Sequence, residues 1–244
     1  MNANGKKFLP YENECEKMNP NSNSINKNKE DNSKRIFKTS FDPVFLKNMQ
    51  LGVMRYQYKG IDCLKCPLDM ALYAKLIWDL KPKTLIEIGT YKGGSALWFA
   101  DMLDSYGLTA AIISIDHFDL NQVRDERIQF IQGDVHHLEK TITPKQVADL
   151  AHPILVIEDS AHTYEGSLAA MKFFDTMLSA GDVMIIEDGV LDELGLGDQF
   201  SGGPNRAVAT FIGSVPHRYR IMTEYCDFYG LNATYNPNGY LKRI

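Results

Sequence analysis

Short, continuous apolar runs alternate with segments of helical periodicity over most of the chain. Five such runs predict buried strands at residues 84–89, 111–116, 127–132, 153–158 and 182–187. Strands buried on both faces have this unbroken apolar pattern, and parallel strands need helical crossovers between them. Residues 219–225 and 240–243 would add two strands, with an antiparallel edge. The pattern predicts an α/β fold of the Rossmann-like class, with a mostly parallel seven-stranded sheet and helices on both faces.

Helical segments precede and separate these strands. Residues 41–55 carry apolar side chains four positions apart, and residues 68–80 place leucines on one face behind Pro67. Further helices are expected at residues 94–103, 144–150 and 165–178. Residues 39–244 would therefore form one domain, in which residues 39–80 lead into the sheet as N-terminal helices.

The first 38 residues differ from the rest in composition. They are rich in Asn, Lys, Ser and Glu, and the stretch 19–34 has Ile25 as its single large apolar residue. Such a segment cannot bury enough apolar surface to offset its ordering entropy. We expect a disordered tail at residues 1–38, and a short partner-binding arm is the alternative.

Charge and hydropathy narrow the class of partner. The tail has eight basic and five acidic side chains, whereas the remainder has 18 basic and 26 acidic ones, a net charge of −8. An acidic body argues against a nucleic-acid partner, which would need a basic face. The chain shows neither an apolar run of the roughly 18 residues that a membrane span needs nor an apolar centre near Met1. A cytoplasmic protein with a small-molecule substrate and no membrane partner is expected.

The number and spacing of the four cysteines do not indicate a disulfide framework. Cys63 and Cys66 make a lone CxxC pair ahead of the first strong strand, and Cys15 and Cys226 lie far from it. Zinc would need two more ligands nearby, and a redox motif usually follows a strand. The interpretation that we favour is two small side chains leading into a helix.

A glycine-rich turn, residues 89–94, follows the first predicted strand. Gly89, Thr90 and Gly93 precede Ser95, which could cap the next helix or bind a ligand, and Glu87 ends the strand before them. This glycine turn lacks the dinucleotide fingerprint, because Tyr91 stands where a glycine is needed and a carboxylate would repel a pyrophosphate. Glu87 instead suits a cationic ligand, directly or through water, and S-adenosylmethionine (SAM) carries an ammonium and a sulfonium. A tight turn without a ligand is the structural alternative.

Acids also end the next two strands. Asp116, followed by His117, could accept hydrogen bonds from both ribose hydroxyls, and His117 could contact the cofactor. Asp134 could accept one from the adenine amino group. Either aspartate could instead cap a helix. Acids at three consecutive strand ends predict a SAM site.

A second acidic group ends the fourth and fifth strands. Asp159, Glu187 and Asp188 should converge, because neighbouring parallel strands lie roughly 5 Å apart. Packed carboxylates repel each other unless a cation lies between them. These hard oxygen ligands predict Mg²⁺, with Mn²⁺ or Ca²⁺ possible, and solvated loop acids are the alternative. His162 is the candidate general base, or else a helix-capping or metal-ligating histidine.

Residues 189–205 form a long, glycine-rich connection after the fifth strand. At the carboxyl edge of a sheet such a connection is often a lid or a substrate loop. A disordered surface loop is the alternative.

Three segments resemble the cephalosporin hydroxylase family, which includes methyltransferase-like proteins of antibiotic biosynthesis and is related to macrolide-sugar and rhamnosyl O-methyltransferases. The segments are residues 63–103, 157–189 and 202–208, and the resemblance spans roughly residues 56–208. It implies a Rossmann-like methyltransferase fold, SAM and a divalent metal. The Asp-x-x-His and Glu-Asp elements of the sugar methyltransferases match Asp159/His162 and Glu187/Asp188, which implies metal-binding acids and a histidine base.

Together the residues and the resemblance predict a metal-assisted SAM-dependent O-methyltransferase. Its acceptor would be a hydroxyl of a small natural product such as a sugar, polyketide or peptide. Two other functions remain open, namely a component of a hydroxylating system and a SAM-binding partner protein without catalysis. A homo-oligomer is possible.

Overall fold

A seven-stranded sheet forms the centre of the computed structural model, which describes residues 35–244. The strands of the sheet are β3 (Thr84–Ile88), β4 (Ala111–Asp116), β5 (Ile128–Gln132), β6 (Ile154–Glu158), β7 (Val183–Ile186), β8 (Tyr219–Ile221) and β9 (Tyr240–Arg243). A separate two-stranded hairpin precedes them, formed by β1 (Gln57–Tyr58) and β2 (Ile61–Asp62). The apolar runs therefore correctly located the central strands.

The strand order is β5-β4-β3-β6-β7-β9-β8. The first five strands in this order pair in parallel, whereas β9 is antiparallel to both β7 and β8. The antiparallel strand thus lies one position inside the edge, because β9 inserts between β7 and β8. The strand predicted at residues 219–225 ends at Ile221, and residues 223–226 turn into a short helix.

Three of the α-helices in residues 35–244 begin at a side-chain cap, which Asp42, Thr143 and Thr163 provide. α1 (Pro43–Val53) starts behind Asp42, whose carboxylate accepts hydrogen bonds from two backbone amides of the first turn. The other helices are α2 (Pro67–Leu80), α3 (Gly94–Ser105), α4 (Leu138–Thr141), α5 (Pro144–Ala148), α6 (Tyr164–Asp175), α7 (Gly203–Ser214) and α8 (Thr223–Cys226). Every residue of β3, β6 and β7 is buried, as expected for strands covered on both faces. This is the predicted Rossmann-like α/β fold.

The predicted tail lies almost entirely outside the described residues. Its last four residues, 35–38, do contact the fold. The guanidinium of Arg35 donates to both carboxylate oxygens of Asp227 and to the amide oxygen of Asn238. The carbonyl of Phe37 accepts a hydrogen bond from Asn205. A boundary at residue 38 is therefore a few residues too late.

The connection at residues 189–205 is ordered. It contains two short 3₁₀ helices, Gly189–Leu191 and Gly197–Phe200, and Val190 is buried in a small apolar cluster with Leu46 of α1 and Tyr235. The disordered-loop alternative is wrong for this segment.

The topology creates a crevice where the strand order reverses, between β3 and β6. Hydrogen bonding continues past the strands there: Asp159 N–H donates to the Ile88 carbonyl over 2.8 Å, and Glu187 N–H donates to the Glu158 carbonyl over 2.9 Å. The residues that follow β3, β6 and β7 are thus held side by side at the sheet edge where ligands bind in such folds. Among residues 35–244, no helix combines the length and the apolar character of a membrane span.

Candidate active site

The glycine turn is built around a buried carboxylate. Glu87 is fully buried at the end of β3 and accepts hydrogen bonds from the hydroxyls of Ser95 and Ser114, the latter over 2.6 Å. Thr90 is hydrogen-bonded to Ser114 over 2.6 Å. Burial raises the pKa of Glu87, and the charge of Lys65 and the two serine hydroxyls oppose that rise. Both oxygens of Glu87 therefore have hydrogen-bond partners within the fold, Ser95 and Ser114.

Gly89 places the glycine turn directly against the end of β6. Its φ is +106°, in the region that favours glycine, and a Cβ there would lie 1.9 Å from the carbonyl oxygen of Asp159. Gly93 has a φ of +90°, and a Cβ would lie 2.5 Å from the side-chain oxygen of Asn121. Both positions require glycine because the backbone of the turn approaches its neighbours so closely.

Asp116 lies beside a surface pocket at the end of β4. Its two oxygens accept hydrogen bonds from the backbone amides of Tyr91 (2.7 Å) and Phe118 (2.8 Å). Thr90, Asp116, Phe118, Asn121, Phe130 and Gln132 line this pocket. The predicted ribose acid is thus next to the glycine turn, in a pocket with aromatic walls.

Asp134 and His117 lie at the outer side of this region. Asp134 caps a 3₁₀ turn by accepting a hydrogen bond from the backbone amide of His136 over 2.9 Å. His117 is exposed, with its Nδ1 3.9 Å from an oxygen of Asp134. Neither residue lines the pocket described above. The contacts of Asp134 in the structure are those of a helix cap, which was the alternative to adenine binding.

The structure brings together part of the second acidic group, namely Asp159 and Asp188, with His162 in place of the expected Glu187. We refer to Asp159, His162, Glu187 and Asp188 as the acid corner. Nδ1 of His162 lies 3.7 Å from Oδ1 of Asp159, and Nε2 lies 3.6 Å from Oδ2 of Asp188. One ligand atom from each of these three residues lies within 4.8 Å of the others, a spacing that could hold a metal ion. Glu187 belongs to the acid corner, but its carboxylate is not among these converging ligand atoms.

Two members of the acid corner have strained backbones. The φ of His162 is +53° and that of Asp188 is +59°, in the left-handed region that non-glycine residues seldom adopt. Asn236 accepts a hydrogen bond from Asp188 N–H over 3.1 Å, and Asn205 donates to the carbonyl of Gly189. Such conformations persist where the surroundings fix them, and they cluster at functional sites.

Lys65 supplies the positive charge of the acid corner. Its side chain is 4% exposed, and Nζ donates to Oδ2 of Asp159 and, over 2.6 Å, to Oε1 of Glu187. Burial alone would lower the pKa of Lys65, but the two carboxylates outweigh it and raise that pKa well above its ordinary value. Lys65 is therefore a charged ammonium in the interior.

The pKa values of Glu187, Asp188 and His162 also differ from their ordinary values. Burial raises the pKa of Glu187 and the neighbouring charge of Asp159 adds to the rise. Burial raises the pKa of Asp188 to about 6, and His162 opposes this shift. Burial would lower the pKa of His162, but Asp188 and Asp159 raise it. Close carboxylates of this kind favour any cation that can bind between them.

Sequence reasoning missed Lys65, Asn205, Asn236 and Phe200. Phe200, in the 189–205 connection, lies edge-on to His162 with ring centroids 6.1 Å apart. Lys65 had a weak signal, as the charged residue of a CLKC segment leading into a helix. Asn205 belongs to the segment at 202–208 that carried the family resemblance. No spacing rule pointed to Asn236.

The CxxC pair lies on either side of Lys65, and both of its thiols are free and buried. Cys63 and Cys66 are both buried, and Cys66 is the residue just before α2. Burial raises the pKa of the Cys63 thiol to about 12, so it stays protonated near neutral pH. The interpretation as small side chains leading into a helix is confirmed.

Comparison with known proteins matches nearly all of the domain. A family model described as rhamnosyl O-methyltransferase/CmcI matches residues 52–244. The rhamnosyl O-methyltransferase of Mycobacterium tuberculosis is 30% identical over 194 residues, covering 76% of this chain and 77% of that protein. The enzyme of the same name from Mycobacterium leprae is 30% identical over 196 residues, covering 76% of this chain and 82% of that protein.

Solved structures of CmcI share the fold. A structure of CmcI with Mg and SAM has a TM-score of 0.61 and 30% identity, and it covers 78% of this chain and 77% of its own. An apo structure of CmcI gives the same values. The similarity in sequence and the similarity in structure thus each cover about three quarters of the chain.

Proposed function

Because the chain belongs to the rhamnosyl O-methyltransferase/CmcI family, we propose that it transfers the methyl group of SAM to a hydroxyl of a small natural product, assisted by a divalent metal ion. The family match confirms the O-methyltransferase class expected from the sequence. The proposal is carried by one contact: the glycine turn at Gly89 lies against the backbone of Asp159, so the cofactor region adjoins the acid corner.

The region around the glycine turn fits SAM. Gly89 and Gly93 let the backbone approach a ligand where a Cβ would collide. Asp116 would hold the ribose, and Glu87 would attract the ammonium and sulfonium charges. Phe118 and Phe130 offer apolar surface for the adenine. Thr90, Ser95, His117 and Asp134 complete the proposed cofactor region, with His117 and Asp134 at its outer side.

The acid corner fits a hard divalent ion. Asp159 and Asp188 would hold it, since their oxygens converge and carboxylates are preferred by Mg²⁺ and Mn²⁺. Glu187 lies at the same place and would join them when it is released from Lys65. When bound, SAM supplies an electrophilic methyl group and the metal lowers the pKa of an acceptor hydroxyl.

His162 is the proposed base. Its imidazole lies between Asp159 and Asp188, whose charges favour the protonated form and so help the ring to accept the acceptor's proton. Phe200 of the 189–205 connection packs on the imidazole and would limit water there. The same position also allows His162 to act as a metal ligand, and its replacement distinguishes the two roles.

The acceptor is proposed to be a sugar hydroxyl. The relatives in Mycobacterium are named rhamnosyl O-methyltransferases, which favours a deoxysugar over a polyketide or peptide. A cytoplasmic location and a homo-oligomeric state stay predictions.

The test is incubation of the protein with SAM, Mg²⁺ and a panel of rhamnosylated and other sugar-bearing metabolites, followed by mass spectrometry. We expect an acceptor whose mass rises by one methylene, with an equal amount of S-adenosylhomocysteine (SAH). Reactions without acceptor are the control. A protein that binds SAH but methylates no hydroxyl in such a panel would favour a role in a hydroxylating system or as a SAM-binding partner.

A further inference from the structure

The connection at residues 189–205 borders the acid corner. It begins directly after Asp188, and the ring of Phe200 within it lies edge-on to the imidazole of His162. Residues 192–201 are almost all exposed or half-buried. A segment with so few buried side chains opens easily unless polar contacts hold it. The contacts that hold this connection therefore bear on the shape of the crevice beside His162.

A short N-terminal segment, residues 35–39, contacts the connection near its start, and we call this segment the strap. The backbone N–H of Thr39 donates to Oε1 of Glu193 over 3.1 Å. The other oxygen of Glu193, Oε2, is buried and accepts no hydrogen bond from residues 35–244. A buried acceptor without a partner is costly. The strap therefore provides the hydrogen bond that makes burial of this carboxylate tolerable.

The strap also contacts the end of the connection. Nδ2 of Asn205 donates to the carbonyl of Phe37 over 2.8 Å and to the carbonyl of Gly189. Asn205 is buried, and Gly189 is the residue that follows Asp188. A single side-chain amide thus joins the strap to both ends of the connection.

The strap is itself anchored to the C-terminal part of the chain. The guanidinium of Arg35 binds both oxygens of Asp227, over 3.0 and 2.7 Å, in the bidentate geometry of strong charged hydrogen bonds. The carbonyl of Ile36 accepts hydrogen bonds from Asn232 and Asn238 over 2.7 and 3.0 Å. The strap can therefore hold the connection in place, because its own position is fixed from the other side.

We propose that the strap positions the acceptor side of the site, and that Glu193 and Asn205 are the positioning residues through which it acts. The strap keeps the connection closed, so that Phe200 stays against His162. The consequence for catalysis rests on the proposed function. None of the contacts of the strap described above involves the glycine turn, so the strap should affect the acceptor and leave the cofactor unaffected.

The first measurement is hydrogen exchange of the full chain, followed by mass spectrometry of its peptides. The variants are Arg35→Ala, which releases the strap, and Glu193→Ala, which removes its contact with the connection. We expect peptides from residues 189–205 to exchange roughly 10-fold faster in both variants. Peptides from the glycine turn, residues 89–94, should exchange as in the wild type.

Two further variants make the comparison specific. Glu193→Gln keeps a side-chain oxygen that can accept from Thr39 N–H, so it should restore slow exchange at residues 189–205. The matched control is Lys75→Ala, which removes one positive charge from an exposed ion pair with Asp79 on α2. The control should exchange as the wild type does throughout.

The second measurement is steady-state methyl transfer to an acceptor identified in the sugar panel. We expect Glu193→Ala to raise the KM for the acceptor by roughly 10-fold, with kcat within about threefold and the Kd for SAH within about twofold of the wild type. Glu193→Gln should restore the KM. A contact that serves stability alone would lower the melting temperature and leave this KM unchanged.

The possible results separate the inference from the proposed function. Unchanged exchange at residues 189–205 in both alanine variants would overturn the inference, as would faster exchange spread over the whole chain or an unchanged KM. If Arg35→Ala does not fold, the pair Glu193→Ala and Glu193→Gln still decides. A wild-type protein that methylates no acceptor removes the proposed function. Faster exchange confined to residues 189–205 would then still support the strap as the element that positions the connection.

Discussion

The two halves of the crevice satisfy their acids by different means. Around the glycine turn, Glu87 is hydrogen-bonded by two serines, and Asp116 is hydrogen-bonded by two backbone amides. In the acid corner, Asp159 and Glu187 share one ammonium, and Asp188 lies beside an imidazole. Neutral donors hold the first set, whereas the second set is held by groups that carry or can carry a positive charge.

This difference bears on how each half would bind its proposed ligand. Carboxylates held by neutral hydrogen bonds keep their negative charge available to a cationic ligand, so the proposed cofactor region would bind without a further ion. Carboxylates that are balanced by a cation can exchange one cation for another, so the proposed metal site would depend on which cation is present. Experiments can separate the two halves because each responds to a different addition.

Removal of metal should have the largest effect and should act on one half only. We expect EDTA to abolish methyl transfer, and Mg²⁺ or Mn²⁺ to restore it, because the acceptor hydroxyl loses the ion that lowers its pKa. SAH binding, measured by calorimetry in the same chelator, should persist. Full turnover in excess chelator, with metal-free protein verified by elemental analysis, would contradict the proposed metal site.

Replacement of His162 by Ala should slow methyl transfer by ~10²–10⁴-fold, because the imidazole is the proposed acceptor of the hydroxyl proton. The measurement is single-turnover transfer at saturating SAM. A base role predicts that Mn²⁺ and SAH still bind. Loss of Mn²⁺ binding in the variant would instead identify His162 as a ligand, and normal turnover would make it structural.

A matched pair of substitutions should separate the two halves. Asp116→Ala should weaken SAH binding by roughly 10-fold, because a charged acceptor for the ribose hydroxyls is lost. Asp188→Asn should weaken Mn²⁺ binding by a similar factor and reduce the rate. Each variant should keep its affinity for the other ligand within about twofold of the wild type. Calorimetry measures the affinity for SAH, and Mn²⁺ titration measures that for the metal. If Asp116→Ala also lost Mn²⁺, the separation into halves would be wrong.

Truncation should give the smallest effect. Deleting residues 1–32 should leave the melting temperature and SAH affinity nearly unchanged, as their composition predicts. Deleting residues 1–38 also removes the contacts of Arg35 and Phe37, and this should cost roughly 1–3 kcal/mol of stability. The measurement is thermal unfolding of both truncated proteins and of the full chain with Arg35→Ala. A large loss in the shorter deletion would show that the tail packs.

Acids at strand ends were predictable because of two local signals. An apolar run that stops at a carboxylate marks both the strand and its ligand edge, as with Glu158 at the end of β6 and Asp159 directly after it. Parallel pairing then places neighbouring strand ends side by side, so convergence of Asp159 and Asp188 followed from topology alone. The set of candidate metal ligands was less predictable, since the sequence does not show which acid forms an ion pair with a lysine.

The missed residues depend on contacts between distant parts of the chain. Lys65 is 94 residues from Asp159 and 122 from Glu187, and the segment 232–238 is Asn-rich and looks like an exposed turn. Instead Asn232, Asn236 and Asn238 are all buried, because their polar groups find partners in the fold. A polar composition predicts exposure only when such partners are missing.

The buried segment at residues 232–238 also sets an order of assembly during synthesis. Asp69 of α2 accepts hydrogen bonds from Thr234, Tyr235 N–H and Tyr240, and Asn236 holds Asp188. These partners are made after every parallel strand from β3 to β7. On the ribosome, a nascent chain can therefore form the glycine turn before the acid corner is fixed. The carboxylate of Asp69 and the backbone of Asp188 thus gain these partners only after residues 234–240 have been made, so the acid corner is completed by the end of the chain.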